Sequence, residues 1–405
     1  MKNTSKKTNQ LVRSYQRCLA LIAGGICASA PLANADYESE ILSEGPLAYY
    51  RFNDGVTSAP FDYADNLGSF GASSDFIYAS SAIRPVAGAL VGSSNTATRV
   101  SGTGVSIPYQ AALNPLGSFT VEIWLKPNII PATGALISPI SSWRENTDTF
   151  GREGWLVYQG DANTGFNFRT YNKNGGAVAL SINSGTGVTA GAWHHVVVTW
   201  NHSTAVGKIY VNGVLKNTSP VVAPAGTNSR TFDPNTSGAF TIGSRSDGAF
   251  AWAGDTDEAA FYTTALSDAQ VLAHYNNGIN ASPSPSYDAV VLADSPAAYL
   301  RLDDPLVTPP VAANIGSLST SANGGYYGGA SNTNTGPSSA AGFLGFGSTN
   351  SALSLQTANG NVSTLLGLLS NRSKFTVTGW VKRGAVKSTR GGYFGQNDTL
   401  EFGDA

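Results

Sequence analysis

The sequence predicts an all-β protein of antiparallel strands, and this prediction rests on three observations. Glycine is abundant and only 12% of the residues are charged, a composition that suits short strands joined by tight turns. Apolar and polar residues alternate along several segments, as in strands that bury one face. Asn212-Gly213 separates two such segments, and this dipeptide is the strongest short signal of a hairpin turn.

Individual elements follow from the same patterns. Residues 118–127, "SFTVEIWLKP", read as a half-buried strand, with one side formed by Phe119, Val121, Ile123 and Leu125. Residues 193–200, "WHHVVVTW", predict a central strand covered on both faces, and residues 208–216 predict a hairpin. Only residues 264–275 read as a helix, with Ser267 as its cap.

The adjacent histidines His194 and His195 are candidates for a metal site or for packing. Neighbouring residues of a strand point to opposite faces, so the two rings cannot hold one metal together. The other histidines, His202 and His274, show no metal-ligand spacing. We therefore expect the segment to have a structural role.

Residues 1–35 resemble an export signal. Five basic residues precede an apolar run at 18–30, and Ala33-Asn34-Ala35 forms a signal-peptidase pattern. The apolar run is too short to span a bilayer, so we expect cleavage after Ala35 and no membrane insertion afterwards. Both cysteines lie in this segment, and a secreted or cell-surface protein without cysteines suggests a bacterial origin. Cleavage changes the net charge from −2 to about −7, which disfavours nucleic acid as a partner.

The chain repeats itself at the scale of a domain. Residues 37–55 match residues 287–305 at a constant offset of 250, and "FTVEIWLKP" returns as "FTVTGWVKR" at 375–383. The prediction is a first domain at 36–279, a Pro/Ser linker at 280–286 and a truncated second domain at 287–405, here called copy one, the linker and copy two.

Four segments in order resemble a known family: "PLAYYRFNDG", "FTVEIWLKP", "WHHVVVTW" with "GKIYVNGVLK", and "DEAAFYTTALSDAQVLAHYNNG". They are similar to successive blocks of a laminin-G-like domain of the concanavalin A-like lectin/glucanase superfamily. The resemblance implies a two-sheet antiparallel jelly-roll sandwich, with one full domain and a partial second copy.

The superfamily includes enzymes and binding proteins, so its fold does not decide function. Its glucanases carry alternating acidic residues of the form Glu-x-Asp-x-Glu on one strand, a pattern absent here. Asp255, Asp257 and Glu258 form the nearest acidic cluster, and on a regular strand Glu258 points away from Asp257. We therefore expect no catalysis by this chain.

The resemblance also implies a structural calcium ion beside the acidic residue that opens the "DEAAFY" strand. Transferred to this sequence, the candidate metal ligands are Asp257 with Asp54 or Asn53, since calcium prefers carboxylate and carbonyl oxygens. The alternative is that these side chains only cap turns.

Ligand contacts are expected in two segments rich in aromatic and polar groups, 141–160 and 168–176. The candidates are Trp143, Arg144, Arg169 and Tyr171, with Trp143 and Arg144 expected in a loop. Strand packing is the alternative for Tyr171 and for Trp155.

The function predicted is therefore that of a secreted or cell-surface, non-catalytic binding or adhesion protein that recognises a glycan or an extracellular protein. Two alternatives stay open: an accessory carbohydrate-binding part of a larger polysaccharide-degrading enzyme, and a structural spacer of a surface protein.

Overall fold

The computed structural model describes residues 37–56, 61–79, 81–132, 134–146, 151–160, 165–173, 178–220, 232–355, 360–364, 366–370, 372–384, 391–396 and 400–404. The helices are α1 (Tyr37–Ser43), α2 (Asp268–Gly278) and α3 (Tyr287–Ala293), with short 3₁₀ turns at Gly71–Ser74, Ala111–Leu113, Ser319–Ala322 and Ser339–Ala341.

The strands of copy one are β1 (Tyr63–Ala64), β2 (Phe76–Tyr78), β3 (Ile83–Ala87), β4 (Thr96–Ser101), β5 (Val105–Ile107), β6 (Phe119–Pro127), β7 (Ile137–Asn146), β8 (Gly151–Gln159), β9 (Asn167–Tyr171), β10 (Val178–Asn183), β11 (His194–Asn201), β12 (Val206–Val211), β13 (Val214–Pro220), β14 (Phe240–Ile242) and β15 (Ala253–Tyr262). Those of copy two are β16 (Ala298–Leu300), β17 (Val311–Ala312), β18 (Gly324–Tyr327), β19 (Ser331–Thr335), β20 (Ser351–Ser354), β21 (Asn361–Ser363), β22 (Gly391–Gln396) and β23 (Leu400–Asp404).

Copy one is an antiparallel two-sheet sandwich, which confirms the predicted fold class. Sheet one has the strand order β1-β2-β5-β14-β7-β8-β9-β10, and sheet two has the order β13-β12-β11-β6-β15-β4-β3. The core between them is rich in aromatic rings: Phe119 contacts Trp155, Phe168, Phe232 and Phe261. Burial of apolar area contributes about 25 cal/mol per Å², so this core is the main source of stability.

The two histidines of β11 lie on opposite faces of sheet two, as predicted. His194 packs against Phe166 on the inner side. His195 packs against Trp124 on the outer side, where α2 also lies. The predicted cap of α2 is confirmed as well, because Ser267 and Gln270 form a reciprocal capping box.

The leading segments of the two repeats, residues 37–56 and 287–304, each pack against the other copy. Strand β16 of copy two pairs with β15 of copy one, and the Trp124 indole N–H donates to the Tyr287 hydroxyl at 2.8 Å. Residues 37–56 instead pack on copy two, where Tyr50 bridges to Asn314. That residues 36–279 and 287–405 fold as separate domains remains a prediction.

Copy two forms small separate sheets, β17-β18-β21, β19-β20 and β22-β23, among the described residues. Residues 375–380, "FTVTGW", repeat the start of β6 but carry no strand, and Phe375 and Trp380 are more than half exposed. Their counterpart β6 pairs with β11 and β15.

Candidate functional site

An acidic site lies on β15 where that strand is irregular. The register against β6 shifts between Asp257 and Ala260, and Glu258 has a left-handed φ of 48°, as in a β-bulge. Asn95 contacts both carboxylates: its Nδ2 donates to Glu258 Oε1 at 2.7 Å, and it lies close enough to lower the pKa of Asp257. The expectation that Asp257 and Glu258 point to opposite faces is therefore wrong, because the bulge turns them to one side.

The two carboxylates differ in their partners. Glu258 accepts hydrogen bonds from the Arg301 guanidinium at 3.1 and 3.2 Å and from the Tyr299 hydroxyl. Asp257 accepts one from the Ala89 N–H at 2.7 Å through Oδ2. No hydrogen bond of ordinary geometry reaches Oδ1 of Asp257 or Oδ1 of Asn95 among the described residues, although both atoms are buried.

The site carries excess negative charge. Burial, followed by the charge of Glu258, raises the pKa of Asp257 well above its ordinary value. Burial likewise raises the pKa of Glu258 despite Arg301, and Asp303 adds to the effect. In the described part of the site, the Arg301 guanidinium pairs with Glu258 and with Asp303, and the charges of Glu258 and Asp303 both act on Asp257. A further cation would relieve this repulsion.

The predicted metal ligands are not brought together. Asp54 belongs to copy one but packs against copy two, where its Oδ2 accepts a hydrogen bond from the Tyr326 hydroxyl at 2.6 Å. Asn53 Oδ1 accepts one from the Ser351 N–H at 3.0 Å. The predicted contact of Asp257 with Asp54 or Asn53 is therefore wrong, because the leading segment of copy two occupies that place and brings Asp303 there instead.

The donor atoms at this site fit the calcium ion that the resemblance implies. Two buried oxygens without hydrogen bonds, on Asp257 and Asn95, lie beside the carboxylate of Glu258, and calcium takes six to eight oxygen ligands. In the described residues, no group of three acidic, histidine or cysteine side chains is arranged so that it alone could hold a metal ion. Main-chain or water oxygens would therefore complete the shell.

A second buried polar cluster centres on Glu122 of β6. Its carboxylate interacts with His195 Nε2 at 2.7 Å and His274 Nδ1 at 3.0 Å, and it accepts hydrogen bonds from the hydroxyls of Tyr262 and Tyr287 at 3.0 Å. Burial alone would raise the pKa of Glu122, but the two imidazoles lower it below its ordinary value. Both carboxylate oxygens of Glu122 are occupied by protein partners, so we interpret the cluster as structural. A lone carboxylate in an apolar strand was its only signal in the sequence.

An open cleft of about 720 Å³ lies where the two copies meet, and we call it the inter-copy cleft. One wall is the end of sheet one at β2 and β5, and the other wall comes from copy two. Its lining residues are Phe61, Asp62, Ile77, Tyr78, Ala79, Ser106, Pro108, Tyr109, Ser237, Ala239, Tyr327, Gly328, Gly360 and Asn361. Tyr109 is 37% exposed, so one aromatic ring is accessible beside hydroxyl, amide and carboxylate groups.

The sequence did not single out this cleft. Its walls come from segments far apart in the chain, and Tyr109 lies two residues after β5, a short strand with no distinctive pattern. Phe61 and Tyr63 stack at 5.3 Å between ring centroids, which adds aromatic surface at one end.

The predicted ligand-binding residues lie on strands of sheet one. Trp143 and Arg144 belong to β7, so the expected loop is wrong, because these residues pair with β8. Trp143 is 2% exposed beneath the Arg245 guanidinium, and Tyr171 is 4% exposed. Neither ring presents a face to solvent.

The two predicted arginines, Arg144 and Arg169, remain partly exposed to solvent. Arg144 Nη1 donates to Thr236 Oγ1 at 2.7 Å, and the Arg169 guanidinium lies 4.7 Å from the Tyr158 ring centroid. Trp155 packs in the core between the sheets, as the alternative interpretation of its sequence predicted.

Comparison with known proteins agrees with this fold. The family model Laminin_G_3, described as the concanavalin A-like lectin/glucanases superfamily, matches residues 99–272. The resemblance predicted from the sequence is thereby confirmed over that segment. No curated protein matches the chain.

Three solved structures illustrate the structural likeness. The sialidase CBM40 of Ruminococcus gnavus bound to alpha2,3 sialyllactose is 17% identical, with a TM-score of 0.35, over 44% of this chain and 95% of that one. A SAP-like pentraxin from Limulus polyphemus is 15% identical, with a TM-score of 0.33, over 57% and 95%. A Trypanosoma rangeli sialidase in complex with sialic acid is 17% identical, with a TM-score of 0.34, over 50% and 29%.

Within the described part of the chain, no helix is long and apolar enough to cross a membrane.

Proposed function

We propose that this protein is an exported, non-catalytic binding protein that recognises a glycan in the inter-copy cleft. The observation that carries the proposal is the exposed ring of Tyr109 in an open cleft with polar walls. Binding sites commonly combine an apolar or aromatic surface with a few placed polar groups. The match of residues 99–272 to a superfamily that includes lectins supports the same class of ligand.

The chemistry of the cleft suits a neutral or cationic sugar chain. An aromatic ring offers the apolar faces of a pyranose a surface to stack on, and Ser106, Ser237 and Asn361 can exchange hydrogen bonds with its hydroxyls. Asp62 is the acidic group of the described lining. Its charge disfavours anionic sugars, although it is partly neutralised by an ion pair with Arg84.

The arrangement of carboxylates supports a non-catalytic role. Glycoside hydrolysis uses two carboxyl groups on either side of the scissile bond, whereas Asp62 stands without a second acidic residue in the described lining of the cleft. On β15, Asp255 is buried and paired with Arg99 and Lys126. Asp257 and Glu258 are buried as well.

We also propose that calcium, bound through Asp257, Asn95 and Glu258, stabilises copy one. When bound, the ion supplies positive charge and fixes the bulge of β15. The protein's own residues hold the strand end: Ala89 donates its N–H to Asp257, and Arg301 restrains Glu258.

A glycan array probed with the labelled full-length protein tests the main proposal. We expect binding to a restricted set of neutral or amino-sugar glycans that is lost when Tyr109 is replaced by alanine. Absence of any bound glycan, for protein that melts cooperatively, would contradict glycan recognition and favour the role of a structural spacer.

A further inference from the structure

The leading segments of the two copies have equivalent sequences but lie on each other's copies. Residues 46–54 and 296–304 share the pattern Pro-x-Ala-Tyr-x-Arg-x-x-Asp. The segments that receive them are also equivalent, since residues 64–69, "ADNLGS", correspond to residues 312–317, "AANIGS".

In copy one, an asparagine anchors the incoming segment. Asn66 Oδ1 accepts hydrogen bonds from the Tyr299 N–H at 2.9 Å and from the Gly68 N–H at 2.8 Å. The Leu67 N–H donates to the Tyr299 carbonyl at 2.9 Å. The anchor and the main chain after it thus hold one tyrosine of the segment on both sides.

In copy two, the corresponding asparagine does the same for the other segment. Asn314 Oδ1 accepts hydrogen bonds from the Tyr49 N–H at 2.7 Å and from the Gly316 N–H at 3.0 Å. The Ile315 N–H donates to the Tyr49 carbonyl at 3.0 Å. Each contact in copy one therefore has its equivalent in copy two.

A second pair of contacts fixes the far end of each segment. The Tyr78 hydroxyl of copy one donates to Asp304 Oδ2 at 2.6 Å, and the Tyr326 hydroxyl of copy two donates to Asp54 Oδ2 at 2.6 Å. Tyr78 and Tyr326 are both buried. Their carboxylate partners therefore seat each segment in a defined register.

The receiving grooves are shaped for close approach of a main chain. A Cβ atom on Gly68 would lie 2.7 Å from the Ala297 carbonyl oxygen, and one on Gly316 would lie 2.8 Å from the carbonyl oxygens of Pro46 and Leu47. Both glycines thus stand where the incoming backbone needs the space that a side chain would fill.

We propose that each copy presents a docking groove for the leading segment of another copy, and that reciprocal exchange of these segments holds the two copies together. Residues 287–304 complete copy one, and residues 37–56 of the same chain complete copy two. The groove recognises the pattern Pro-x-Ala-Tyr-x-Arg-x-x-Asp through the asparagine and tyrosine anchors. The partner it fits is therefore another copy of the same repeat.

Engineered disulfides in the full chain test which segment lies in copy one. Ala259 is the cross-strand partner of Leu300, and Tyr50 is the equivalent of Leu300 in the other segment. With Cys18→Ser and Cys27→Ser as background, we expect Ala259→Cys with Leu300→Cys to oxidise fully within a monomer. The matched pair, Ala259→Cys with Tyr50→Cys, should stay reduced. A disulfide through Ala259 and Tyr50, within a chain or between two chains, overturns the proposal.

Hydrogen exchange of two matched variants gives a readout that needs no buried cysteine. Asp304→Ala should speed amide exchange in β2 of copy one by about tenfold and leave β18 of copy two unchanged. Asp54→Ala should do the reverse. The opposite pattern, with Asp54→Ala loosening β2, would mean that each segment completes its own copy and would overturn the exchange.

Discussion

Nε2 of His195 lies 2.7 Å from Oε1 of Glu122, and both side chains are completely buried on the outer side of sheet two. This contact explains the adjacent histidines of "WHHVVVTW": the second ring joins β11 to the carboxylate of β6, and the first ring faces the core. The carboxylate also reaches His274 of α2. The helix is thereby tied to the sheet by charge as well as by packing.

Replacing Glu122 with glutamine should destabilise copy one strongly. The change removes the carboxylate that His195 and His274 share, although His274 keeps Asp294 at 3.0 Å. Breaking a buried ion pair typically costs about 3–5 kcal/mol. Chemical denaturation of the full chain measures the effect. The exposed Glu40→Gln is the control and should stay within about 0.5 kcal/mol of wild type. Equal stability of the two variants would contradict the structural role of Glu122.

The histidine cluster also sets a pH dependence. Burial lowers the pKa of His274, but Glu122 and Asp294 together outweigh burial and raise the pKa above 6.5. The stability from this group is complete below pH 6.5 and is lost as pH rises through the raised pKa. The lowered pKa of Glu122 contributes stability that is present above pH 4.5 and is lost as pH falls.

The stability supplied by this pair should therefore be greatest between about pH 4.5 and pH 6.5. Urea midpoints measured from pH 4 to pH 9 check the window. His274→Gln should remove most of the decline above pH 6.5 that the cluster causes. An unaltered decline in that variant would show that His274 does not produce it.

Calcium should raise the melting temperature of the protein, and more so at higher pH. Without a cation, burial raises the pKa of Asp257 and raises that of Glu258 to about 7. Both groups therefore favour the fold below their ordinary pKa values and oppose it as pH rises through the raised ones. An ion that binds the ionised form reverses this penalty, so the difference between calcium and EDTA should grow from pH 5 to pH 8.

Variants of Asp257 and Asp54 distinguish the calcium site seen in the structure from the calcium site expected from the sequence. Asp257→Asn should weaken the calcium effect greatly, whereas Asp54→Asn should leave it intact, because Asp54 packs against copy two. If instead Asp54→Asn abolishes the calcium effect, the ion binds where the sequence alone placed it. Equal melting temperatures of the wild-type protein in calcium and in EDTA would contradict the proposed calcium site.

Adding one methyl group at Gly68 should destabilise the protein. The new Cβ would lie 2.7 Å from the Ala297 carbonyl oxygen, and overpacking of this kind costs about 1–3 kcal/mol. Gly117→Ala is the matched control, since nothing lies within 4 Å of its added Cβ. Thermal melts compare the two, and equal melting temperatures would contradict close approach of β16 to Gly68.

The sequence predicts much of copy one because its signals are local. The alternating pattern of β6, the opposite faces of His194 and His195, and the cap at Ser267 each depend on residues a few positions apart. The bulge at Glu258 could not be predicted in this way. A left-handed φ at a glutamate is set by its tertiary partners, Arg301 and Tyr299, which are more than 40 positions away along the chain.

The positions of the leading segments could not be predicted for a different reason. Tyr49 and Tyr299 stand in equivalent sequences and meet equivalent anchors, Asn314 and Asn66. A pattern that fits both grooves equally well cannot decide which groove each segment enters. The same ambiguity misplaced Asp54 beside Asp257, and it hid the inter-copy cleft, whose walls depend on how the copies meet.

Isothermal titration of the tightest-binding glycan from the array tests the central claim most directly. Wild-type protein is compared with Tyr109→Ala in the cleft and with Phe343→Ala, an aromatic ring of similar exposure at 40% that lies outside the cleft lining. We expect Tyr109→Ala to weaken binding by about tenfold or more, the loss of about 1.4 kcal/mol of stacking, while Phe343→Ala binds like wild type. Unchanged affinity in Tyr109→Ala, with cooperative melting retained, would contradict recognition of a glycan in this cleft.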